Sequence, residues 1–250
     1  MLAGVFWYTR ISLIRHIRLI RLIRHIRLIR HIRLMSPAEL KIRRVRAVKI
    51  TAALKKLFPD AAIVLRFRTH WELLVAVVLS AQCTDKKVNE VTARLFKKYR
   101  TLNNYANADS RTFEQDIKPT GFYRAKTKHI LAAAKLVKEK FRGKLPRTME
   151  AMLTIPGIGR KSANVILGNA YGVVEGIAVD THVRRLAKKL GLTNHTDPEK
   201  IERGLMALLP KKEWFGFTYL LIEYGRKYCP ARPHDHARCP LAILANSPGH

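Results

Sequence analysis

The chain has 250 residues, 48 per cent of them hydrophobic, and carries 48 lysines and arginines against 18 acids, a formal net charge of +30. That is enough apolar material for one large domain or two small ones, and a field of this sign attracts polyanions before any specific contact forms. Three cysteines (Cys83, Cys229 and Cys239) make no disulfide framework and suit a reducing compartment, while the longest apolar run, Leu73 to Leu79, falls far short of the roughly 20 residues of a membrane helix.

Residues 1–34 differ from the rest. They hold eight arginines (Arg10, Arg15, Arg18, Arg21, Arg24, Arg27, Arg30 and Arg33) and no acid, and from Arg15 to Leu34 they consist of near copies of Ile-Arg-His-Ile-Arg-Leu. A three-residue step turns a helix by about 300°, so these arginines drift around the axis instead of keeping to one face. Three readings compete: an upstream repeat translated from a misplaced start, with Met35 the natural one; a basic arm that grips DNA; and an organelle transit peptide. The first is preferred. Subtracting the eight arginines leaves a net +22 on the remaining 216 residues, still strongly basic.

Beyond Met35 the spacing is helical. Trp71 to Ala81 is an apolar, buried stretch. Val88, Val91 and Leu95 predict a helix over 85–99, and Ile130, Ala133, Val137 and Phe141 predict another over 125–141. Asp197-Pro198 reads as the N-cap and first residue of a helix that ends before Pro210, with Ile201, Leu205 and Leu208 on its inner face. Pro119-Thr-Gly121, Gly143 with Leu145-Pro146, and Gly191 to Thr196 are short connections between helices. Alternating strand patterns are scarce, and the fold class is all-α.

The most informative window is Leu153-Thr-Ile-Pro-Gly157-Ile-Gly159-Arg160-Lys161-Ser-Ala-Asn164, followed by Ala178-Val-Asp180-Thr-His182. Pro156, Gly157 and Gly159 allow a tight turn that points backbone amides outward at the start of the second helix, an arrangement that suits a phosphate. A lysine just inside that helix can, as a neutral amine, attack a sugar carbon and form a Schiff base. Taken alone, Lys161 is more simply a phosphate-binding or solvated lysine, and Asp180 a plain helix N-cap. Together with the charge, the window points to chemistry on nucleic acid.

Four ordered motifs are similar to those of endonuclease III, a DNA glycosylase and AP lyase family of the helix-hairpin-helix superfamily. They are Leu79-Ser-Ala-Gln82-Cys-Thr-Asp85, Thr120-Gly-Phe122-Tyr-Arg-Ala-Lys126, the hairpin at 153–164, and Ile177-Ala-Val-Asp180-Thr-His182. The resemblance runs from about Lys41 to Cys239. It implies two helical lobes: a six-helix barrel over 63–173, with the helix-hairpin-helix at 153–172, and a second lobe built from 36–62 and 174–250. Duplex DNA holding damaged bases or abasic sites would cross the cleft between them, bound by a monomer.

The resemblance further implies that Lys161 attacks C1′, expels an oxidised pyrimidine and leaves an imine through which the 3′ phosphate departs by β-elimination. Asp180 would stabilise positive charge on the sugar and handle the nucleophile's proton. Burial of Lys161 beside Arg160 is expected. Gln82 would take the place of the extruded base and Phe122 would wedge the stack, although a surface amide and a core aromatic are the simpler readings of those two residues. Gly157, Gly159, Arg160, His182 and Arg184 would lie against the phosphates. A monofunctional mismatch glycosylase and a non-catalytic helix-hairpin-helix DNA-binding module are the alternatives. The protein is expected in the cytoplasm, at the nucleoid, with organelle targeting open only through the leader.

At the C-terminus the chain departs from the family. Cys-x6-Cys-x2-Cys-x5-Cys, the family's [4Fe-4S] motif, falls on Cys229, His236, Cys239 and Ala245, so two of the four thiolates remain. The expectation is that the cluster is absent and the loop packs without it, the reaction itself needing no cofactor. His234 and Asp235 nearby permit zinc as a guess. Arg232 and Arg238 of the same loop would contact phosphate.

Overall fold

The computed structural model describes residues 36–246, so the leader and the choice of Met35 as the start lie outside the described residues. The helices in chain order are α1 (Pro37–Leu57), α2 (His70–Leu79), α3 (Asp85–Lys98), α4 (Leu102–Ala106), α5 (Ser110–Ile117), α6 (Tyr123–Lys140) and α7 (Met149–Met152). They continue with α8 (Arg160–Tyr171), α9 (Thr181–Lys189), α10 (Pro198–Leu208), α11 (Lys211–Lys227) and α12 (Ala242–Asn246). No strand occurs among the described residues.

Local chemistry sets most of the helix starts. Ser36, Thr69, Thr84, Thr101, Asp109, Thr148, Asp180 and Asp197 each cap a helix by accepting the backbone N–H three residues on. Helices α6, α8 and α11 have no side-chain cap, being preceded by Phe122, Gly159 and Pro210. The first-turn amides of such a helix have no intrahelical acceptor and are left for another partner.

Two hydrophobic cores define two lobes. Helices α2–α8 enclose the first, with Leu73, Leu79, Leu95, Phe113, Ile117, Ile130 and Ile166 at its centre. Helix α2 is buried from Glu72 to Leu79, which explains why its sequence is apolar all round instead of striped. Trp71, Tyr99, Tyr105 and Phe113 stack edge-on or tilted along one side of this barrel. The second core joins Ala47, Ile50 and Leu54 of α1 to Val183 and Leu186 of α9, Ile201 and Leu205 of α10, and Phe217, Leu221 and Tyr224 of α11. The N-terminal helix therefore packs with the C-terminal part of the chain. The polypeptide passes between the lobes along the 58–69 and 172–180 segments, which places any site between them at the ends of several helices.

The hairpin between α7 and α8 is held from below by Ile155 and Ile158, both buried in the first core. Gly157 turns the chain at φ +81°, and a Cβ there would stand 2.7 Å from the Cβ of His129 on α6. Glycine is thus required for both conformation and space. Gly159 has an ordinary φ of −92° and open space around its Cα. Gly157→Ala is expected to destabilise the protein by about 1–3 kcal/mol, a fall in Tm of roughly 2–12 °C for a chain of this size. Gly159→Ala should change stability by about 0.5 kcal/mol or less. Thermal denaturation of the two variants checks this; equal stabilities would contradict it.

Candidate active site

A cleft of about 920 Å³ opens between the lobes. Its barrel side presents Gln82, Asp85 and Lys161, and its other side presents Asp180, His182, Arg184 and Arg226. Lys161 is the second residue of α8 and Asp180 precedes α9, so the two come from opposite lobes and meet at helix starts. Asp180 does what its sequence context suggests: its Oδ1 accepts the Val183 amide at 2.8 Å. That capping bond also fixes the carboxylate on the wall of the cleft.

The expected burial of Lys161 is corrected. The side chain is exposed to the open cleft and forms no ion pair with any described residue. The reason lies in its position: at the second residue of α8 it projects from the hairpin's tip, while Ala163, Val165, Ile166 and Leu167 further along the helix enter the core.

Arg160 turns away from Lys161 toward the other lobe. Its Nε donates to Oε2 of Glu202 on α10, and Oε1 of the same carboxylate accepts from Nδ2 of Asn164 at 2.9 Å. The Glu202 side chain is only 5 per cent exposed, so this charge is removed from water and held by two donors from α8. Gly176 makes room for it, since a Cβ at that position would meet Oε1 at 1.9 Å. A second ion pair between lobes joins Asp85, at the start of α3, to Arg226 on α11. Neither Glu202 nor Arg226 stood out in the sequence, because nothing local marks a charged side chain whose partners lie 38, 42 or 141 residues away.

Gln82 and Phe122 stand on exposed turns. Both take left-handed backbone conformations, with φ of 52° and 48°, which are uncommon for residues with a side chain. Phe122 is 64 per cent exposed, so it is not a core aromatic. Strain of this kind persists only where the surroundings impose it. Lys126, whose bracing of both turns the sequence did not reveal, lies beneath them. Buried on α6, Lys126 donates from Nζ to the carbonyl of Leu79 at 2.8 Å, just before the Gln82 turn, and to the carbonyl of Thr120 at 2.8 Å, just before Phe122. One ammonium therefore ties the bases of both turns together. Burial pulls its pKa below the ordinary lysine value, partly opposed by Cys83.

His182 and Arg184 lie on the first turn of α9. His182 is half-buried; desolvation, helped by Arg226 and Arg185, lowers its pKa against the opposing pull of Asp180 and Asp85, and its Nδ1 has no hydrogen-bond partner. Arg184 is exposed and lines both this cleft and an adjoining basic groove with Arg185 and Lys188.

At the C-terminal loop the expectation of packing without a metal is not supported. Cys229, His234, His236 and Cys239 each direct a ligand atom inward, and the four atoms lie within 4.8 Å of one another. Cys229 and Cys239 are the remaining thiols of the four-cysteine frame, and His236 occupies a third position. Ala245, at the fourth, falls in α12 and offers no donor, while His234 joins the group from outside the frame. Arg232 and Arg238 are exposed on the same loop, Arg238 paired with Asp235.

The fold and the cleft define a class: a two-lobed helix-hairpin-helix protein with a lysine and a carboxylate set across its groove. The model of the HhH-GPD superfamily base excision DNA repair protein matches residues 75–211. Endonuclease III of Synechocystis sp. is 46% identical over 205 residues, 82% of this chain and 94% of that protein. Endonuclease III of Bacillus subtilis is 42% identical over 189 residues, 75% of this chain and 86% of that protein. Among solved structures, a non-covalent endonuclease III–DNA complex superposes with a TM-score of 0.77 at 42% identity, covering 80% of this chain and 94% of that one. A thermostable thymine-DNA glycosylase shares the fold with a TM-score of 0.70 at 18% identity. The chain belongs to the endonuclease III family of base-excision DNA glycosylases within that superfamily.

Lys126→Met keeps the length of the side chain and removes the donor from two buried carbonyls. It is expected to cost about 1–3 kcal/mol and to raise hydrogen exchange selectively at 80–83 and 120–123. An unchanged Tm with unchanged exchange in both turns would contradict the bridging role.

Proposed function

We propose that the protein is a bifunctional glycosylase that removes oxidised or ring-saturated pyrimidines from duplex DNA and then cleaves 3′ to the abasic site. The observation that carries this reading is that Lys161 and Asp180, carried at the starts of helices from opposite lobes, line one cleft. The neutral amine of Lys161 attacks C1′; the C1′–N bond breaks, and its electrons leave with the base, which takes up a proton. Opening of the sugar gives an imine between C1′ and Nζ. Loss of a C2′ proton then expels the 3′ phosphate by β-elimination. Asp180, fixed by its bond to Val183, stabilises the positive charge that develops on the sugar and accepts the proton released by the amine. Because Lys161 is exposed in the free protein, its desolvation comes with the DNA that closes the cleft.

A base inside a duplex must be flipped out to be reached. Gln82 and Phe122, on turns held by Lys126, fill the gap and separate the strands. The uncapped start of α8 at Gly159 offers its amides to a phosphate, and Arg184 and a neutral His182 hold the backbone nearby. Arg160, engaged with Glu202, positions α8 for this contact. A covalent endonuclease III–DNA intermediate has been trapped in a protein 42% identical to this chain, which supports imine chemistry at Lys161. Work on chromosomal DNA would place the protein at the nucleoid. No helix among the described residues is long and apolar enough to cross a membrane.

Borohydride trapping tests the proposal. The parent, incubated with an oligonucleotide containing thymine glycol or an abasic site, should give a covalent adduct. Lys161→Ala should give none, and Asp180→Asn should form it at least about a hundredfold more slowly. An adduct undiminished in Lys161→Ala would contradict the assignment of the nucleophile.

A further inference from the structure

We propose that the loop 229–239 binds one zinc ion through Cys229 Sγ, His234 Nε2, His236 Nδ1 and Cys239 Sγ, a tetrahedral S2N2 site standing where the frame for a four-iron cluster has lost two thiolates. The distances single out one ion. With Zn–S near 2.3 Å and Zn–N near 2.0–2.1 Å, a sulfur and a nitrogen on the same tetrahedral zinc stand roughly 3.6 Å apart. Cys229 Sγ lies 3.6 Å from His236 Nδ1, and Cys239 Sγ lies 3.4 Å from His234 Nε2. A four-iron, four-sulfide core has to fit among its ligands and holds them further apart than a single ion does. It also wants four donors, usually thiolates, and its fourth position is Ala245.

The surroundings also favour a metal ion. His234 Nδ1 is 2.9 Å from the carbonyl of Arg232, which can only accept, so the proton sits on Nδ1 and the lone pair of Nε2 faces the two sulfurs. Metal-bound histidines are oriented in this way by a second bond from the ring. Arg185 donates to Cys229 Sγ at 3.8 Å and to the carbonyl of Pro230 at 3.2 Å, placing positive charge beside a thiolate and tying the loop to α9. Both cysteines are buried, Cys229 completely. Cys239 Sγ donates to the carbonyl of Tyr228 at 3.1 Å, the contact of a protonated thiol. Binding exchanges the two thiol protons for Zn(II), so the ion's double charge is matched by two thiolates and two protons are released per ion. The site is formed by eleven residues of chain and anchored through Arg185 to the helix that Asp180 caps. Its role is to fix the C-terminal loop against the second lobe, and it takes no part in the reaction.

The test uses the full chain expressed without a histidine tag. Elemental analysis should find one zinc per chain and no stoichiometric iron. Replacement by Co(II) should give the visible absorption of a tetrahedral site together with thiolate-to-metal charge transfer. His234→Ala, a partly exposed position outside the four-cysteine frame, should stay folded and weaken zinc binding, measured by competition with a chromophoric chelator, by more than about a hundredfold. Cys239→Ser should abolish the charge-transfer band or shift it. Four irons per chain with inorganic sulfide would overturn the proposal, as would a parent that takes up neither zinc nor cobalt. Zinc affinity unaltered in His234→Ala would overturn the ligand set.

Discussion

The buried carboxylate of Glu202 is the constraint on which the site depends. It belongs to α10 of the second lobe, yet both of its donors, Arg160 and Asn164, lie on the hairpin helix of the barrel lobe. Removing one partner of a buried pair is far more costly than the pair is stabilising, because the charge left behind has no water to turn to. The lobes are therefore not free to slide at this contact. Arg160 and Lys161 are neighbours, so the bond that fixes α8 against α10 also sets where the Lys161 amine stands relative to Asp180. Asp85 with Arg226 makes a second and more exposed tie at the cleft's edge.

The outline of the fold was legible in the sequence because it rests on local chemistry. The helices predicted over 85–99 and 125–141 are found at 85–98 and 123–140, and Asp197 caps α10 as its Asp-Pro start suggested. The predicted stretch Trp71 to Ala81 ends earlier, at Leu79, because the chain breaks into the turn that carries Gln82. Short helices such as α4 and α7 escaped notice, since one turn of helix carries no periodicity to read. The two lobes came from the resemblance and not from spacing, and the second core shows why: α1 meets partners more than a hundred residues distant.

Part of the site was legible in the same way and part was not. Lys161, Asp180, Gln82 and Phe122 sit in short motifs, and the structure brings Lys161, Asp180 and Gln82 to one cleft. What holds them was invisible. Lys126 bridges Leu79 and Thr120, which are 47 and 6 residues away from it, and only the folded chain shows that one ammonium serves two strained turns. The exposure of Lys161 was misjudged because burial beside Arg160 was expected from the chemistry asked of the amine, whereas the second residue of α8 projects from the hairpin's tip. Of the two zinc candidates named beside the four-cysteine frame, His234 joins the C-terminal donors and Asp235 does not, a distinction only the folded loop makes.

The most direct test of this account is the single-turnover rate of strand cleavage at an abasic site by Glu202→Gln, measured where its circular dichroism and thermal denaturation show it folded. Lys161 and Asp180 are untouched in this variant, and Asn164 can still donate to the new amide. Loss of the charge partner for Arg160 should let α8 shift against α10 and lower the rate by roughly ten- to a hundredfold, the scale expected for a displacement of about 1 Å at a reacting centre. A folded Glu202→Gln that cleaves at the parent's rate would show that the buried carboxylate does not set the distance between lysine and aspartate.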